Sequence, residues 1–307
     1  MMKYNLKLAS GIAVLFLLFQ SCKDQEKKEK IERFTSDSSK MVVDESFSPI
    51  VDEELYIFKA LDTNVHPKVL YAPENEAINL LLDDSVRVAI ISRDLTAREY
   101  KQLSSRNIKP LMYRFAIDAV TLIVNEASND TTITVSEIKK MLNGYTKQNK
   151  NIVFDNPNSG IVSYLKEFSG NKEFKQKNIY SLKSNKEVIK YVSQHKDAIG
   201  ITDFSWLNDP DKDYADAVQK VKIVNVKDDV SKNSSLQYFT PSQTTLALKQ
   251  YPLVRNLYIF NFTGYYSLGM KFARFLSNDR GQMIILKSGL LPNNIPEREI
   301  RIRKNIE

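Results

Sequence analysis

Ser159 and Gly160 stand at the joint between an apolar run, Ile152–Phe154, and a stretch in which Ile161, Tyr164, Leu165 and Phe168 recur at helical spacing. Between the two lies Asp155-Asn156-Pro157-Asn158, a set of residues that favours a turn. A strand, a turn and a helix start in that order leave the first backbone N–H groups of the helix without internal partners. They lie at the positive end of the helix dipole, where an anion or another oxygen-rich ligand fits. Ser159 can cap that helix or turn its hydroxyl to a ligand, and Gly160 admits a close backbone approach. Most Ser-Gly pairs at helix starts are caps and nothing more, so the joint permits a site without defining one.

Other chemistry is scarce. Cys22 is the only cysteine, and His66 and His195 lie far apart in unlike contexts. Disulfides, a thiol centre and a Cys-based metal site are excluded once Cys22 is modified, and a His-based metal site or a Ser-His-Asp triad is disfavoured. Asp94 and Asp155 can be drawn as an acid and a base, as can many other carboxylate pairs, and their spacing diagnoses nothing. No catalytic residue, metal or cofactor is therefore expected. Basic residues alternate with acids, and the aromatics follow core periodicity, which argues against nucleic acid. Tyr265, Tyr266, Phe272 and Phe275 read as one packed helix face, and Trp206 reads as a packing residue.

The N-terminus has its own character. Lys3 and Lys7 precede Gly11–Phe19, an apolar run too short for a resident membrane span, which ends in Gln20-Ser21-Cys22. This resembles a bacterial lipobox. The resemblance implies a signal peptide over residues 1–21, a lipidated Cys22 and a cell-envelope protein facing the periplasm or the extracellular side. Lys23–Lys40 is charged and nearly devoid of apolar residues, so residues 22–40 read as a flexible tether. Removing residues 1–21 takes away Lys3 and Lys7 and no acid, so the formal charge falls from +7 to +5. That excess favours an anionic partner only weakly. With 307 residues, 42% hydrophobic and 26% charged, the remainder has room for two cores.

Positioning the Ser159 joint requires alternating strands and helices, and the chain supplies them. A helix follows Asp44-Glu45-Ser46, with Pro49 in its first turn. Pro67–Tyr71 reads as a strand, Glu74–Leu82 as a helix, Arg87–Ser92 as a strand and Ala97–Ser104 as a helix. Arg114–Asn125 reads as a strand passing between lobes, and Val135–Leu142 and Lys186–His195 as helices. Ala198–Thr202, Val221–Val226 and Gln250–Phe260 read as strands. Tyr265–Asn278 and Gly281–Ser288 read as helices, followed by a basic surface segment at Arg298–Lys304. The alternation predicts an α/β fold with mainly parallel strands.

Several of these stretches together resemble one family. Ser92-Arg93-Asp94-Leu95-Thr96 with Glu99 is similar to the S-R-x-L-T-x-x-E segment of the phosphate-binding proteins of ABC uptake systems. Asn156–Gly160 sits where that family has its serine-glycine ligand loop, and Asp197–Gly200 resembles its G-A-I-G-Y strand. Gln250–Ile259 and Phe275–Pro292 are similar to its Y-P-L…L-Y-I strand and its closing helix. The likeness runs in register from about Val42 to Pro292. It implies a type II periplasmic-binding-protein clamshell of two lobes with mixed, mainly parallel sheets and a ligand cleft between them. Lobe 1 would comprise residues 41–117 plus 243–307, and lobe 2 residues 118–242.

Carried over position by position, the resemblance implies ligand-binding roles for Ser46, Phe47, Asn75, Arg93, Asp155, Ser159 and Gly160. Three positions depart from the family pattern. Arg93 replaces an aspartate, Asp155 replaces the arginine that pairs with phosphate, and Ile161 replaces a threonine. An aspartate near a doubly charged anion exchanges attraction for repulsion, and Arg93 is the expected compensating cation. Glu45, Glu74 and Glu76 are expected to face water at helix starts. The implied function is a lipid-anchored, monomeric solute-binding protein that delivers phosphate, or a similar small anion, to an ABC permease. The alternative is a clamshell sensor or scaffold lipoprotein binding a different small ligand.

Overall fold

The computed structural model of the chain describes residues 40–145, 150–231 and 236–295. The signal-like run, Cys22, the tether as far as residue 39 and the basic segment 298–304 lie outside the described residues. β1 (Lys40–Asp44) leads through a 3-10 turn at Glu45–Phe47 into α1 (Ser48–Leu61), which has Pro49 in its first turn and buries Ile50, Val51, Leu55 and Phe58. β2 (Lys68–Ala72), α2 (Glu74–Leu82), β3 (Val88–Ile91) and α3 (Ala97–Ser104) follow. Thr96 and Glu99 cap the start of α3 reciprocally, as their spacing requires.

β4 (Leu111–Asn125), β5 (Thr132–Thr134), α4 (Val135–Leu142), β6 (Asn151–Phe154) and α5 (Gly160–Ser169) come next. They are succeeded by β7 (Ile179–Ser181), α6 (Asn185–Gln194), β8 (Ala198–Asp203) and the short helices α7 (Ser205–Asn208) and α8 (Ala215–Val218). The chain closes with β9 (Val221–Ile223), β10 (Asn225–Lys227), α9 (Gln243–Ala247), β11 (Val254–Asn261), α10 (Leu268–Ser277), α11 (Asp279–Lys287) and β12 (Leu291–Pro292). Among the described residues no helix is long and apolar enough to cross a membrane.

Ten of the described strands form one curled mixed sheet in the order β2-β1-β3-β11-β4-β8-β6-β7, with β9 and β12 also on β4, and β5 and β10 form a separate two-stranded sheet. β4 is the axis. Its first part, Leu111–Ala119, pairs with β11, and its second part, Val120–Val124, pairs with β8. One strand thus belongs to two sheets, and each sheet carries its own core. Val43, Phe47, Ile90, Leu257 and Phe272 pack in the first lobe; Leu122, Ile152, Phe154, Leu165 and Ile201 pack in the second. The parallel ladders lie on the outside of each lobe, β1 with β2 and β3, and β6 with β7 and β8. The antiparallel ladders gather on β4 and β11, where the chain passes between lobes.

Three local expectations change. β11 begins at Val254, because Tyr251 and Leu253 are occupied with Val120: the Tyr251 hydroxyl donates to its carbonyl at 2.8 Å, and the Leu253 carbonyl accepts its N–H at 2.9 Å. α10 begins at Leu268, where the Ser267 side chain caps Met270 N. Tyr265 and Tyr266 therefore precede the helix and are 63% and 90% exposed, while Phe272 and Phe275 are buried as expected. Val221–Val226 is divided between β9 on β4 and β10 on β5.

Candidate functional site

The cleft is built where four strand ends and two helix starts meet. β1 delivers Asp44 and the adjoining Ser46 and Phe47; the start of α2 delivers Glu74; the end of β3 delivers Ser92. From the second lobe, β6 delivers Asp155, the start of α5 delivers Ser159 and Gly160, and β8 delivers Asp203. Arg255 enters from β11, opposite Asp118 of β4, at the seam between the two sheets. Asp44, Ser46, Glu74, Asp118, Asp155, Ser159, Asp203 and Arg255 are all buried. A charge in such a place must be paired or neutralised.

Asp155 organises the hydroxyls. It accepts from Ser159 Oγ at 2.5 Å, from Ser46 Oγ at 3.5 Å and from Asn185 Nδ2 at 3.3 Å, and Asn185 Oδ1 accepts in turn from Thr202 at 2.7 Å. Ser159 Oγ also accepts from Val162 N at 3.2 Å and so caps α5. A hydroxyl has one proton to give. Those of Ser46 and Ser159 are both directed at Asp155, which ties a first-lobe loop to a second-lobe helix start. Burial pushes the Asp155 carboxyl up to about 7, against the lowering effect of the Ser159 hydrogen bond and of Arg255.

Arg255 is the cation of the cleft. It forms a buried ion pair with Asp203, and its guanidinium lies 5.0 Å over the Phe47 ring. Burial disfavours its charge, but Asp203, Asp44, Asp118 and Glu74 outweigh that and hold it protonated. Its Nε and Nη1 have no hydrogen-bond partner, nor do Asp44 Oδ2, Glu74 Oε1 and Asp203 Oδ2. Buried, unsatisfied groups of this kind each cost about 1–3 kcal/mol, a penalty that a complementary ligand removes. A cavity of about 230 Å³ joins Glu74, Ser92, Gly160 and Arg255. A Cβ placed on Gly160 would lie 2.6 Å from Asp44 Oδ2, 2.8 Å from Arg255 Nη1 and 2.9 Å from Ser92 Oγ. Glycine is thus needed there for the close approach of the facing lobe.

Burial raises Asp44 and Asp203 well above their ordinary range, with further upward pressure on Asp44 from Glu74 and on Asp203 from Asp118. Asp118, raised to about 6 by burial, is partly relieved by Arg255 and by its bond from Ala119 N at 2.7 Å. Among the described residues no group of three or more His, Cys, Asp or Glu side chains is placed to hold a metal ion.

Ser46, Phe47, Asp155, Ser159 and Gly160 converge on this cleft. Asn75 is exposed, with its backbone N–H donating to Asn158 O across the lobes at 3.3 Å; its neighbour Glu74 occupies the cleft instead. Glu74 is the exception to the water-facing expectation, because Ser92 N and Ser92 Oγ both donate to its Oε2, at 2.6 and 2.5 Å. Glu76 is exposed and Glu45 half-buried. Arg93 lines the same cavity, but its guanidinium makes two bonds to Glu99, at 2.9 and 2.8 Å. Trp206 is buried, and its Nε1 donates to Ser46 O at 2.7 Å. Arg255 escaped the sequence reading, although a lone arginine inside the apolar run Leu253–Phe260 is a signal: a charge in a buried strand requires a partner.

A two-lobed α/β fold on a shared crossing strand, with a buried polar cleft at the seam, defines a periplasmic-binding-protein-like clamshell. A family model, the PBP superfamily domain, matches residues 29–280, and the chain belongs to that superfamily. The phosphate-binding protein PstS of Borreliella burgdorferi is 27% identical over 301 residues, covering 91% of this chain and 97% of that protein. Among solved structures, a candidate phosphate ABC transporter substrate-binding protein with bound phosphate from Clostridium perfringens has a TM-score of 0.68 at 20% identity, covering 84% of this chain and all (100%) of that one. The ABC-type phosphate transport receptor of Vibrio cholerae has a TM-score of 0.62 at 18% identity, covering 83% of this chain and 99% of that one.

Proposed function

We propose that this protein is the phosphate-binding component of an ABC importer, acting outside the cytoplasmic membrane as a monomer and handing phosphate to its permease. The observation that carries this reading is the buried Arg255 guanidinium, which lies at the interlobe cleft with its Nε and Nη1 unpartnered. Its seat at the seam makes it accessible to a ligand that bridges both lobes. Similarity to phosphate-binding transport proteins over most of the chain supports the same ligand. The work of such a site is capture and release rather than chemistry, which suits a cleft organised by carboxyl groups, hydroxyls and one guanidinium. In this reading residues 41–117 plus 243–307 and residues 118–242 close as two lobes, hinged where β4 and the segment before β11 pass between them. Residues 1–21 are the signal peptide, and Cys22 carries the lipid that anchors the tether at 22–40.

Calorimetric titration of the purified protein with phosphate tests the ligand. Binding at micromolar concentration or tighter is expected. Its absence at millimolar phosphate would favour the second reading, a sensor or scaffold that kept the clamshell for another small ligand. Asp155 in place of an arginine, and Ile161 buried in the second-lobe core where a hydroxyl residue would face the ligand, are the observations behind that alternative. Cys22→Ala is expected to move the protein from the membrane fraction to the soluble one.

A further inference from the structure

We propose that the pole of the first lobe farthest from the cleft is a membrane-docking surface, a basic and aromatic face that rests on anionic lipid headgroups and orients the clamshell above them. The inference rests on the reading of Cys22 as the lipid anchor and adds to it which face of the protein meets the bilayer.

Strand registers define that pole. Lys40 of β1 stands opposite Lys68 of β2, and Met41 stands opposite Val88 of β3. Val88 in turn faces Asn261, the last residue of β11, and Asn261 faces Leu111, the first residue of β4. Five strands thus bring these ends together, while the opposite ends of β1, β3 and β11 carry Asp44, Ser92 and Arg255 to the cleft. Lys40 is also where the tether joins the described fold. Cys22 lies 18 residues before it, an average separation of about 20–25 Å for a flexible chain, so an anchor at Cys22 holds this pole near the lipid.

The chemistry of the pole matches such a surface. Lys40, Lys68 and Lys109 are exposed at or beside the starts of β1, β2 and β4. The loops there, residues 62–67, 83–87, 105–110 and 262–267, contain three acids, Asp62, Asp83 and Asp84. Asp62 pairs with Lys271 at 3.5 Å, and Asp84 pairs with Arg87 at 2.9 Å and with Arg106 at 3.6 Å, which leaves Asp83 against the three lysines. A surplus of lysine on one face is drawn to anionic headgroups. On the loop after β11, Tyr265 and Tyr266 are exposed and meet edge to face, with ring centroids 5.3 Å apart. The Arg274 guanidinium lies 4.1 Å from the Tyr265 ring centroid. Leu61, at the end of α1, and Leu111 and Met112, at the start of β4, are exposed as well. Tyrosine joins an apolar ring to a polar hydroxyl, the combination that settles at the level of lipid headgroups. The attachment of the tether at this same face selects a lipid surface over a protein partner.

The test uses the protein extracted from membranes and reconstituted into vesicles of phosphatidylethanolamine and phosphatidylglycerol. With Cys22 acylated no other thiol is present, so Thr63→Cys, on an exposed loop of the pole, and Tyr180→Cys, on β7 of the second lobe, each take a single fluorophore. Lipids with nitroxide-labelled headgroups should quench the label at Thr63→Cys at least about threefold more than the label at Tyr180→Cys, and the difference should shrink in vesicles of phosphatidylcholine alone. Combining Lys68→Glu with Lys109→Glu, or Tyr265→Ser with Tyr266→Ser, should reduce the difference by at least about half. All of these variants are expected to titrate phosphate as the wild type does, because each lies at the far end of its lobe from the cleft or on an outer strand. Equal quenching at the two positions, or a difference that neither double variant reduces, would overturn the inference and leave the anchor at Cys22 intact; the pole would then face solvent or a protein partner such as the permease. Recovery of the protein in the soluble fraction, with Cys22 free to react, would overturn the anchor and this inference together.

Discussion

Gly160 carries the tightest steric constraint in the cleft. Its missing side chain leaves room for Asp44, Ser92 and Arg255, all of which belong to the facing lobe. All three contacts are with the ends of short or strongly held side chains, so a methyl group has nowhere to go without moving one of them. Gly160→Ala is therefore expected to keep the fold but weaken phosphate binding by at least about tenfold, roughly 1.4 kcal/mol, measured by calorimetry beside an unchanged far-UV spectrum. Affinity within twofold of the wild type would show that closure does not bring the lobes this close. Asp155 organises the residues around it. With three donors on its two oxygens, it fixes the Ser46 loop and the Ser159 cap rather than facing a ligand with a charge.

Among the elements, α1 shows how a helix can carry a liability inside a sound amphipathic pattern. Ile50, Val51, Leu55 and Phe58 bury the face its spacing dictates, but Glu54 lies on the same side, wholly buried, with neither carboxyl oxygen bonded. Burial, with Glu53 adding to it, raises its pKa to about 9. The folded value lies above the unfolded one, so the protonated carboxyl's contribution is fully present below about 4.5 and is lost as pH rises through 9. Glu54→Leu is expected to stabilise the protein by about 1–3 kcal/mol at pH 8 and by less at pH 5, read from chemical denaturation. Destabilisation at both pH values would mean that Glu54 has a partner in solution. β4 shows the converse case, where one continuous apolar strand serves two sheets and only its pairing reveals the change of partner at Ala119 and Val120.

For the whole molecule, the cleft sets the pH response of stability. Asp118 and Asp155 sit at about 6 and about 7, and Asp44 and Asp203 are also raised, all from an ordinary 3.8. Each holds its proton more tightly folded than unfolded. Their contribution is complete below the unfolded value; that of Asp118 and Asp155 disappears as pH rises through 6 and 7, and that of Asp44 and Asp203 also persists above the ordinary carboxylate range. Glu99, Asp213, Asp228 and Asp229 are lowered, and their contribution is lost only as pH falls below the ordinary carboxylate range. Thermal melting is therefore expected to be highest near pH 5 and to drop toward pH 8. A melting temperature that rises from pH 5 to pH 8 would contradict the buried carboxyl cluster.

The alternation of apolar runs and the turn and cap residues between them was legible along the chain, because helix and strand periods and caps are short-range properties. Thr96 with Glu99, Ser159 before α5 and the buried faces of α1 and α10 all follow from neighbours a few residues away. Resemblance to a family then brought Ser46, Phe47, Asp155, Ser159 and Gly160 into one expected site. The partner of each charge was not legible, because pairing depends on residues brought together from distant parts of the chain. Arg93 finds Glu99, six residues away, and Arg255 finds Asp203, 52 residues away, across the seam of two sheets. Local order thus specified the elements, the family resemblance implied the clamshell, and the folded cleft decided which arginine stands at its centre. Only there does desolvation make the position of one guanidinium among five carboxyl groups matter.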